Sequence, residues 1–370
     1  MEDQDYPSAI AILRNLTIMI KTLAGVLPSD RIEIAMKTLN NASVSLGVIT
    51  TPRRVNLLKE LLKSIFTGSQ LADELIIVIN GCPNSTIISN YVEFAKSIRN
   101  HMNDLPIKLI CLTEDSPVGY CRSLIVRYST SNYIAMVDDD VTLHPLWMEK
   151  VRYSLQFKPD IVAGRVEPDP NLPYEIVGFL REKVYYNEFV SILNYKFMKI
   201  RRLISKDIFL IDGVRGVWTN NMIISKELIK RIGNFNIILG YYKDDVGGED
   251  TEFKIRARKS GAIFLYNSSA VVYHAINPER LTFSYIFKRV WHHGLLYSYI
   301  LPLRHLIKAF VGELLSIFYY FLRDREQECF LAITRFNAIL SALLSIRKRE
   351  DFIEKRLSAV RKTKYKIITI

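Results

Sequence analysis

The sequence predicts an α/β fold built on a largely parallel sheet flanked by helices. Three observations carry this. Short apolar runs of strand-like composition recur at 44–49, 75–79, 107–112 and 134–137. Segments with helical spacing of apolar residues stand between them, and strands alternating with helices make βαβ units. The fourth run, Tyr133 to Val137, ends abruptly in Asp138, Asp139 and Asp140. In parallel sheets ligands bind beyond the carboxyl ends of the strands, where these acids fall.

Taken in order, residues 8–41 read as helical. Ile10, Leu13, Thr17, Ile20 and Ala24 form a stripe, Pro28 breaks it, and Asp30 with Glu33 fits a capping box for a second helix. The start Met1-Glu2-Asp3-Gln4-Asp5 is acidic, and Arg14 and Lys21 interrupt the apolar residues after it, which argues against a secretory signal. Val44–Ile49 is the first strand and runs into Thr50-Thr51-Pro52-Arg53-Arg54. Val55, Leu58, Leu62 and Ile65 mark one face of a helix. Leu75–Ile79 is a buried strand closed by Asn80-Gly81-Cys82-Pro83. A helix around Tyr91 to Ile98, a strand at Ile107–Leu112 and a helix at Gly119–Tyr128 lead to the acid-tipped strand.

Three adjacent acids repel one another and are costly to desolvate. A bound cation compensates them; a solvated acidic turn is the alternative. Alternate residues of an extended chain point the same way, so Asp138 and Asp140 can reach one ion while Asp139 points elsewhere. All-oxygen ligation suits Mg²⁺ or Mn²⁺.

Further on, 160–166 reads as a strand and 171–210 has no clear assignment. Trp218 to Ile224 is extended and carries Asn220 and Asn221, which need partners if buried. Gly247-Gly248-Glu249-Asp250 opens a helix that ends at Gly261, with Arg256, Arg258 and Lys259 in its last turns. Asp250 is either an N-cap or, on a glycine-rich loop, a general base. Ala262–Tyr266 and Ala270–Tyr273 read as two short strands. His274, at the end of the second, is structural or a third metal ligand beside carboxylates. From Arg280 the chain turns basic and aromatic. Residues 305–322 are strongly apolar but carry Lys308 and Glu313, too short an apolar run for a comfortable span. They read as a helix in a membrane interface or as a core helix of a C-terminal appendage, and the basic tail 347–370 favours anionic headgroups in the first case.

Formal net charge is +12 over 370 residues, which suits an anionic partner: nucleic acid, a nucleotide diphosphate or an anionic membrane. Nucleic acid is not expected, because only net charge points to it and no basic-aromatic module is present. The four cysteines form no C-x-x-C pair, so reduced thiols are the default.

In order and spacing, Ser45–Arg54, Ile76–Thr86, Pro117–Arg122, Tyr133–Val141, Asn221–Phe235, Gly248–Gly261 and Val272–Gly294 resemble the family 2 glycosyltransferases, which have the GT-A (nucleotide-diphospho-sugar transferase) fold. Residues 1–42 read as a helical extension, 43–280 as the catalytic domain that the resemblance implies, and 281–370 as a basic, amphipathic helical region, in a membrane interface or packed on the core. The resemblance implies that Asp138 and Asp140 match the D-x-D motif holding Mn²⁺ or Mg²⁺ on the donor diphosphate, that Asp139 neighbours the donor, that Asp250 matches the catalytic base and that His274 completes the metal site. Thr50, Arg53, Asn80, Arg122 and Arg280 match positions near the nucleotide or diphosphate. There are two departures. The family usually has an acid at the end of the second strand, contacting the base, where this chain has Ile79-Asn80-Gly81; and Arg122-Ser123 stands where many members have Arg-Asn.

The expected activity is inverting, metal-dependent transfer of a sugar from a UDP, GDP or dTDP donor to an acceptor hydroxyl, on a glycan or lipid-linked acceptor. The expected place is cytoplasmic, peripheral on the cytosolic face of a membrane. A nucleotidyltransferase is one alternative and would release pyrophosphate. A catalytically silent membrane-surface binding protein with this fold is another.

Overall fold

The computed structural model describes residues 42–82, 85–99, 105–183, 191, 193–243 and 247–370. The helical extension expected at 8–41 lies outside them.

The first half shows the alternation seen in the sequence. It runs β1 (Val44–Thr50), α1 (Val55–Phe66), β2 (Glu74–Ile79), α2 (Ser85–Arg99), β3 (Ile107–Leu112), α3 (Val118–Tyr128) and β4 (Tyr133–Asp138). β1 is buried almost throughout and β2 wholly, as strands covered on both faces must be. α1 seats Leu58, Leu61, Leu62 and Ile65 against the sheet. These four strands are mutually parallel in the order β3-β2-β1-β4. The pairs Ile79↔Cys111, Thr50↔Ile79 and Ile49↔Asp138 bring their carboxyl ends level along one edge.

At the opposite edge, Glu74 is buried. It accepts hydrogen bonds from Ser45 Oγ (2.5 Å), Lys108 Nζ (2.7 Å) and the Thr130 backbone N–H (2.5 Å). Burial alone would raise this carboxyl, but the bonds from Lys108, Ser45 and Thr130 outweigh it and hold it below its ordinary value.

The second half continues with β5 (Val141–Leu143), α4 (Trp147–Leu155), β6 (Ile161–Pro168), α5 (Tyr174–Glu182), β7 (Ile200–Ser205), β8 (Ile208–Ile211), β9 (Met222–Ser225), α6 (Lys226–Ile232), α7 (Glu249–Lys259) and β10 (Phe264–His274). From β3 the sheet runs β3-β2-β1-β4-β9-β6-β10-β8-β7, with β5 against β10. β9 is antiparallel to both β4 and β6, so the parallel centre is extended by mixed pairings. The region 171–210, unassigned from sequence, supplies α5 and the hairpin β7–β8.

The two strands expected at 262–266 and 270–273 are one strand, β10. Its register against β6 slips between Asn267 and Val271. Asn267 sits at the slip and donates to Lys150 O and Ser154 Oγ, both at 2.8 Å. The polar Asn-Ser-Ser that reads as a break is thus a bulge.

The C-terminal region holds α8 (Phe283–Ile300), α9 (Leu303–Phe321), α10 (Glu326–Ser345), α11 (Arg349–Lys362) and β11 (Tyr365–Thr369). α10 packs against both α8 and α9. The stretch 326–362 is long and apolar enough to cross a membrane by length and composition, but Ala332, Ala338, Ile339 and Ala342 of α10 are buried. α9 leaves Leu303, Ile307, Val311, Leu314 and Phe318 exposed at helical spacing.

The helical region expected at 281–370 ends in a strand. Tyr365–Thr369 pairs antiparallel with β3, Ile367 opposite Ile110. The β-branched and aromatic residues of this basic tail suit a strand, and the position beside β3 uses that propensity. Just before it, Arg356 is buried and donates to Ile238 O (2.9 Å) and Gly240 O (2.6 Å), fastening α11 to the loop before α7.

Candidate active site

β4 stops where its apolar residues stop, and the three acids diverge. Asp138 has a 39% exposed side chain and takes Arg122 Nη2 at 3.2 Å. Asp139 turns under β1, accepting from Thr50 Oγ1 (2.7 Å) and Arg54 Nε (3.0 Å). Asp140 is largely enclosed, pairing with Arg54 Nη2 (2.7 Å), His274 Nε2 (3.2 Å) and, at 4.0 Å, Arg280 Nη1. Asp138 thus turns to Arg122, while Asp139 and Asp140, in the turn after β4, share Arg54.

Electrostatics separate the three. Burial pushes Asp139 up to about 6 in spite of Arg54. Burial raises Asp138 too, against the pull of Arg122 and with the help of Asp140. Burial would also raise Asp140, but His274 and Arg54 outweigh it and hold it well below the usual carboxylate range.

Asp250 belongs to α7. Gly248 is the residue before that helix and adopts φ +101, a left-handed conformation that favours glycine, and a Cβ there would strike Leu296. This takes the N-cap position from Asp250, which lies one residue inside the helix. Its carboxylate accepts from Lys254 Nζ (2.9 Å) and from the Thr251 N–H (2.7 Å). Burial alone would raise it; Lys254, then Arg122, hold it below its ordinary value.

Arg122, on α3, joins the two groups. Its guanidinium pairs with Asp138 on one side and with Glu249, the neighbour of Asp250, on the other. Only 5% of Arg122 is exposed. α3 approaches the loop before α7 closely, because Gly119 donates to Leu239 O (2.8 Å) where a Cβ would collide with the carbonyls of Asn236 and Leu239.

α8 lines the same region. Arg289 bonds Tyr285 Oη (3.2 Å) and lies over the Tyr241 ring at 5.6 Å. His293 is pushed down to about 3 by burial and by Arg289, against Asp250, so it is neutral near pH 7.

The other expected residues take varied places. Thr50 is occupied by Asp139. Arg53 is exposed, and its neighbour Arg54 turns into the acid cluster instead. Asn80, after β2, is buried and bonds Asp115 and Ser116. Asn221 is structural, accepting from Trp147 Nε1 (3.0 Å) and donating to Arg165 O and Ala270 O. Sequence reasoning did not single out Arg54, Glu249 or Lys254. The i, i+4 spacing of Asp250 and Lys254 was the available signal for the last.

The donor set can be tested against a hard divalent cation. Asp140 Oδ1 is buried without a hydrogen-bond partner, and the His274 imidazole stands 3.2 Å from it. Two donors converging on one point, one of them unsatisfied, fit a cation with carboxylate and imidazole ligands. Asp138 is drawn toward Arg122, and among the described residues no three such groups gather at ligand spacing.

Known proteins share parts of this sequence and architecture. The profile described as "Glycosyl transferase family 2" matches residues 47–231. A Haloferax volcanii protein named glucosyl-dolichyl phosphate glucuronosyltransferase is 25% identical over 264 residues, 67% of this chain and 74% of the relative. Two crystal structures of S. aureus TarS are similar at 13% identity. The 1–349 fragment has TM-score 0.44, with 83% of this chain and 91% of that chain covered. The longer chain has TM-score 0.45, with 80% and 54% covered.

Proposed function

The chain belongs to glycosyl transferase family 2, and from that premise we propose that it transfers a sugar, with inversion, from a nucleoside diphosphate donor to the hydroxyl of a lipid-linked acceptor. The observation that carries this reading is Arg122. It ties Asp138 of the acid loop to Glu249, the neighbour of Asp250, which supports a single site shared by Asp250 and the acid loop.

In the proposed reaction the bond between the anomeric carbon and the diphosphate oxygen breaks, and its electron pair leaves with the nucleoside diphosphate. The acceptor oxygen bonds the anomeric carbon from the opposite face and gives its proton to the Asp250 carboxylate. Held ionised by Lys254, that carboxylate is ready to accept it. Arg54 and Arg280, beside Asp140, supply positive charge where the leaving group becomes negative. Asp140 and His274 would hold Mn²⁺ or Mg²⁺, which would add Lewis-acid stabilisation of that leaving group.

The name of the Haloferax relative supports a polyprenyl-phosphate-linked acceptor. The exposed apolar face of α9, with exposed Arg304 and Lys308 at one end and Arg323 and Arg325 at the other, supports peripheral contact with an anionic membrane on its cytosolic side.

The test is nucleoside diphosphate release from a panel of UDP, GDP and dTDP sugars, with Mn²⁺, Mg²⁺ or chelator. One donor is expected to be consumed in a metal-dependent way, and Asp140→Ala to abolish it. Asp250→Asn is expected to bind that donor as the wild type does and to lose transfer about 10²–10⁴-fold. Unchanged transfer in Asp250→Asn would remove it from the role of base.

A further inference from the structure

The loop between α6 and α7 is held from two sides before it reaches Asp250. From α3, the Val118 N–H donates to Tyr241 O (3.2 Å) and the Gly119 N–H to Leu239 O (2.8 Å). From α11, Arg356 donates to Ile238 O (2.9 Å) and Gly240 O (2.6 Å). The backbone of Tyr241 is therefore fixed, yet its side chain stands in the open. Tyr241 is 38% exposed, whereas its neighbour Tyr242 is buried.

This exposed ring belongs to the site. The Arg289 guanidinium lies 5.6 Å from its centroid, and Arg280 and Asp250 are close enough to act on the phenol electrostatically. Desolvation raises the phenol against the pull of Arg289, so the hydroxyl is neutral near pH 7 and able to donate. Among the described residues that hydroxyl has no hydrogen-bond partner; Arg289 bonds Tyr285 Oη instead. Gly247, three residues before Asp250, keeps this end of the ring bare. Its φ lies outside the left-handed region, so no backbone strain requires a glycine. A Cβ there would instead touch Tyr241 Cζ, Cε2 and Oη at 3.4, 3.5 and 3.6 Å. Any side chain at this position would fill the room against the ring.

That room adjoins an aromatic ring, a phenol donor and a carboxylate base, and a pyranose matches all three. Its axial C–H bonds carry partial positive charge and pack on the negative face of an aromatic ring. The hydroxyls on its rim accept from a phenol, and one of them can give its proton to a carboxylate. A polyprenyl chain would cover the ring but leave the phenol hydroxyl without a partner. A phosphate would suit Arg289 but not an aromatic face.

We propose that Tyr241, in the space kept by Gly247, is the platform on which the acceptor's terminal pyranose ring stacks, so that the attacking hydroxyl belongs to a sugar and not to a bare polyprenol or its phosphate. The inference rests on the glycosyl-transfer reading and deepens it. Arg289 is a positioning residue here: its attraction to the ring orients the platform.

The experiment measures transfer by the full-length protein from whichever donor it consumes. The probes are octyl pyranosides of glucose, galactose and mannose on one side, and geraniol and geranyl phosphate on the other. At least one octyl pyranoside is expected to be glycosylated, and geraniol and geranyl phosphate are not. In Tyr241→Ala the KM for that pyranoside is expected to rise about 10-fold, and Tyr241→Phe, which keeps the ring, to recover most of it. Gly247→Ala sets a methyl against the ring at ordinary contact distance and is expected to raise the same KM. Donor consumption with no pyranoside accepted overturns the proposal, whether or not geraniol or geranyl phosphate is used; that result needs no variant. An acceptor KM that Tyr241→Ala leaves unmoved overturns it too. A rise in the donor KM alone would place the donor's sugar on the ring, which also overturns it. Consumption of no donor at all would instead overturn the glycosyl-transfer reading, and this inference with it.

Discussion

Single residues decide whether Asp250 works as a base. Its carboxylate is kept ionised by Lys254, which is itself buried and also donates to Val217 O. Burial would raise Asp250; the cation reverses the sign. A base with a lowered pKa stays active as pH falls and is lost only when pH passes that lowered value. Lys254→Met removes the cation and leaves burial dominant. The acid limb of kcat/KM is therefore expected to move to higher pH, read from a pH profile beside the wild type. An unmoved limb would show that Asp250 is not the titrating base. Stability should fall as well, on the order of 3 kcal/mol by thermal unfolding, because a buried carboxylate loses its partner. That an acid triplet caps β4 is legible in the sequence, but the partner of each acid is not, because the chain turns after Asp138. Which of two adjacent arginines turns inward is not legible either. Arg53 was the residue expected at the site, but the turn Pro52–Arg54 after β1 leaves Arg53 outside and swings Arg54 onto Asp139 and Asp140.

Elements show the same division. β1 to β4 and the helices between them were readable because each buries an uninterrupted apolar face. β10 was not readable as one strand, since a bulge and a break present the same Asn-Ser-Ser to a pattern reader. β11 was hidden for a different reason. Its residues alternate weakly and carry lysines, and only the free edge of β3, contributed from far away in sequence, makes it a strand. Thr113 and Lys364 are joined by hydrogen bonds across 251 positions. Deleting residues 364–370 should therefore lower the midpoint of thermal unfolding and expose β3 to aggregation, although the deletion is remote from Asp250. An unchanged midpoint would mean that β11 adds nothing to the sheet. The same pairing bears on any test of the C-terminal helices. A truncation after Leu303 would also remove α11 and β11, so point substitutions on α9 are the cleaner probe.

At the scale of the molecule, net charge of +12 and the bare face of α9 act together. Each Lys or Arg near an anionic surface contributes about 1 kcal/mol, and the apolar face adds burial that salt does not screen. Co-sedimentation with anionic vesicles is expected, with binding reduced at high salt and lost in Leu315→Asp/Phe318→Asp; neutral vesicles should bind far less. Equal recovery of wild type and double variant in the vesicle pellet would assign that face to something other than lipid. The late strand carries a last consequence, for synthesis. A ribosome adding roughly 5–20 residues each second needs about 10–50 s to pass from β3 to β11. For the last roughly 5–20 s of that interval, after β10 has been made, the nascent chain holds a nearly complete sheet with one apolar border unpaired. Slower translation or a lower growth temperature lengthens it, while a chaperone that shields strand borders matters most in this window. Yield of the intact protein is thus expected to fall as that border waits longer for its partner.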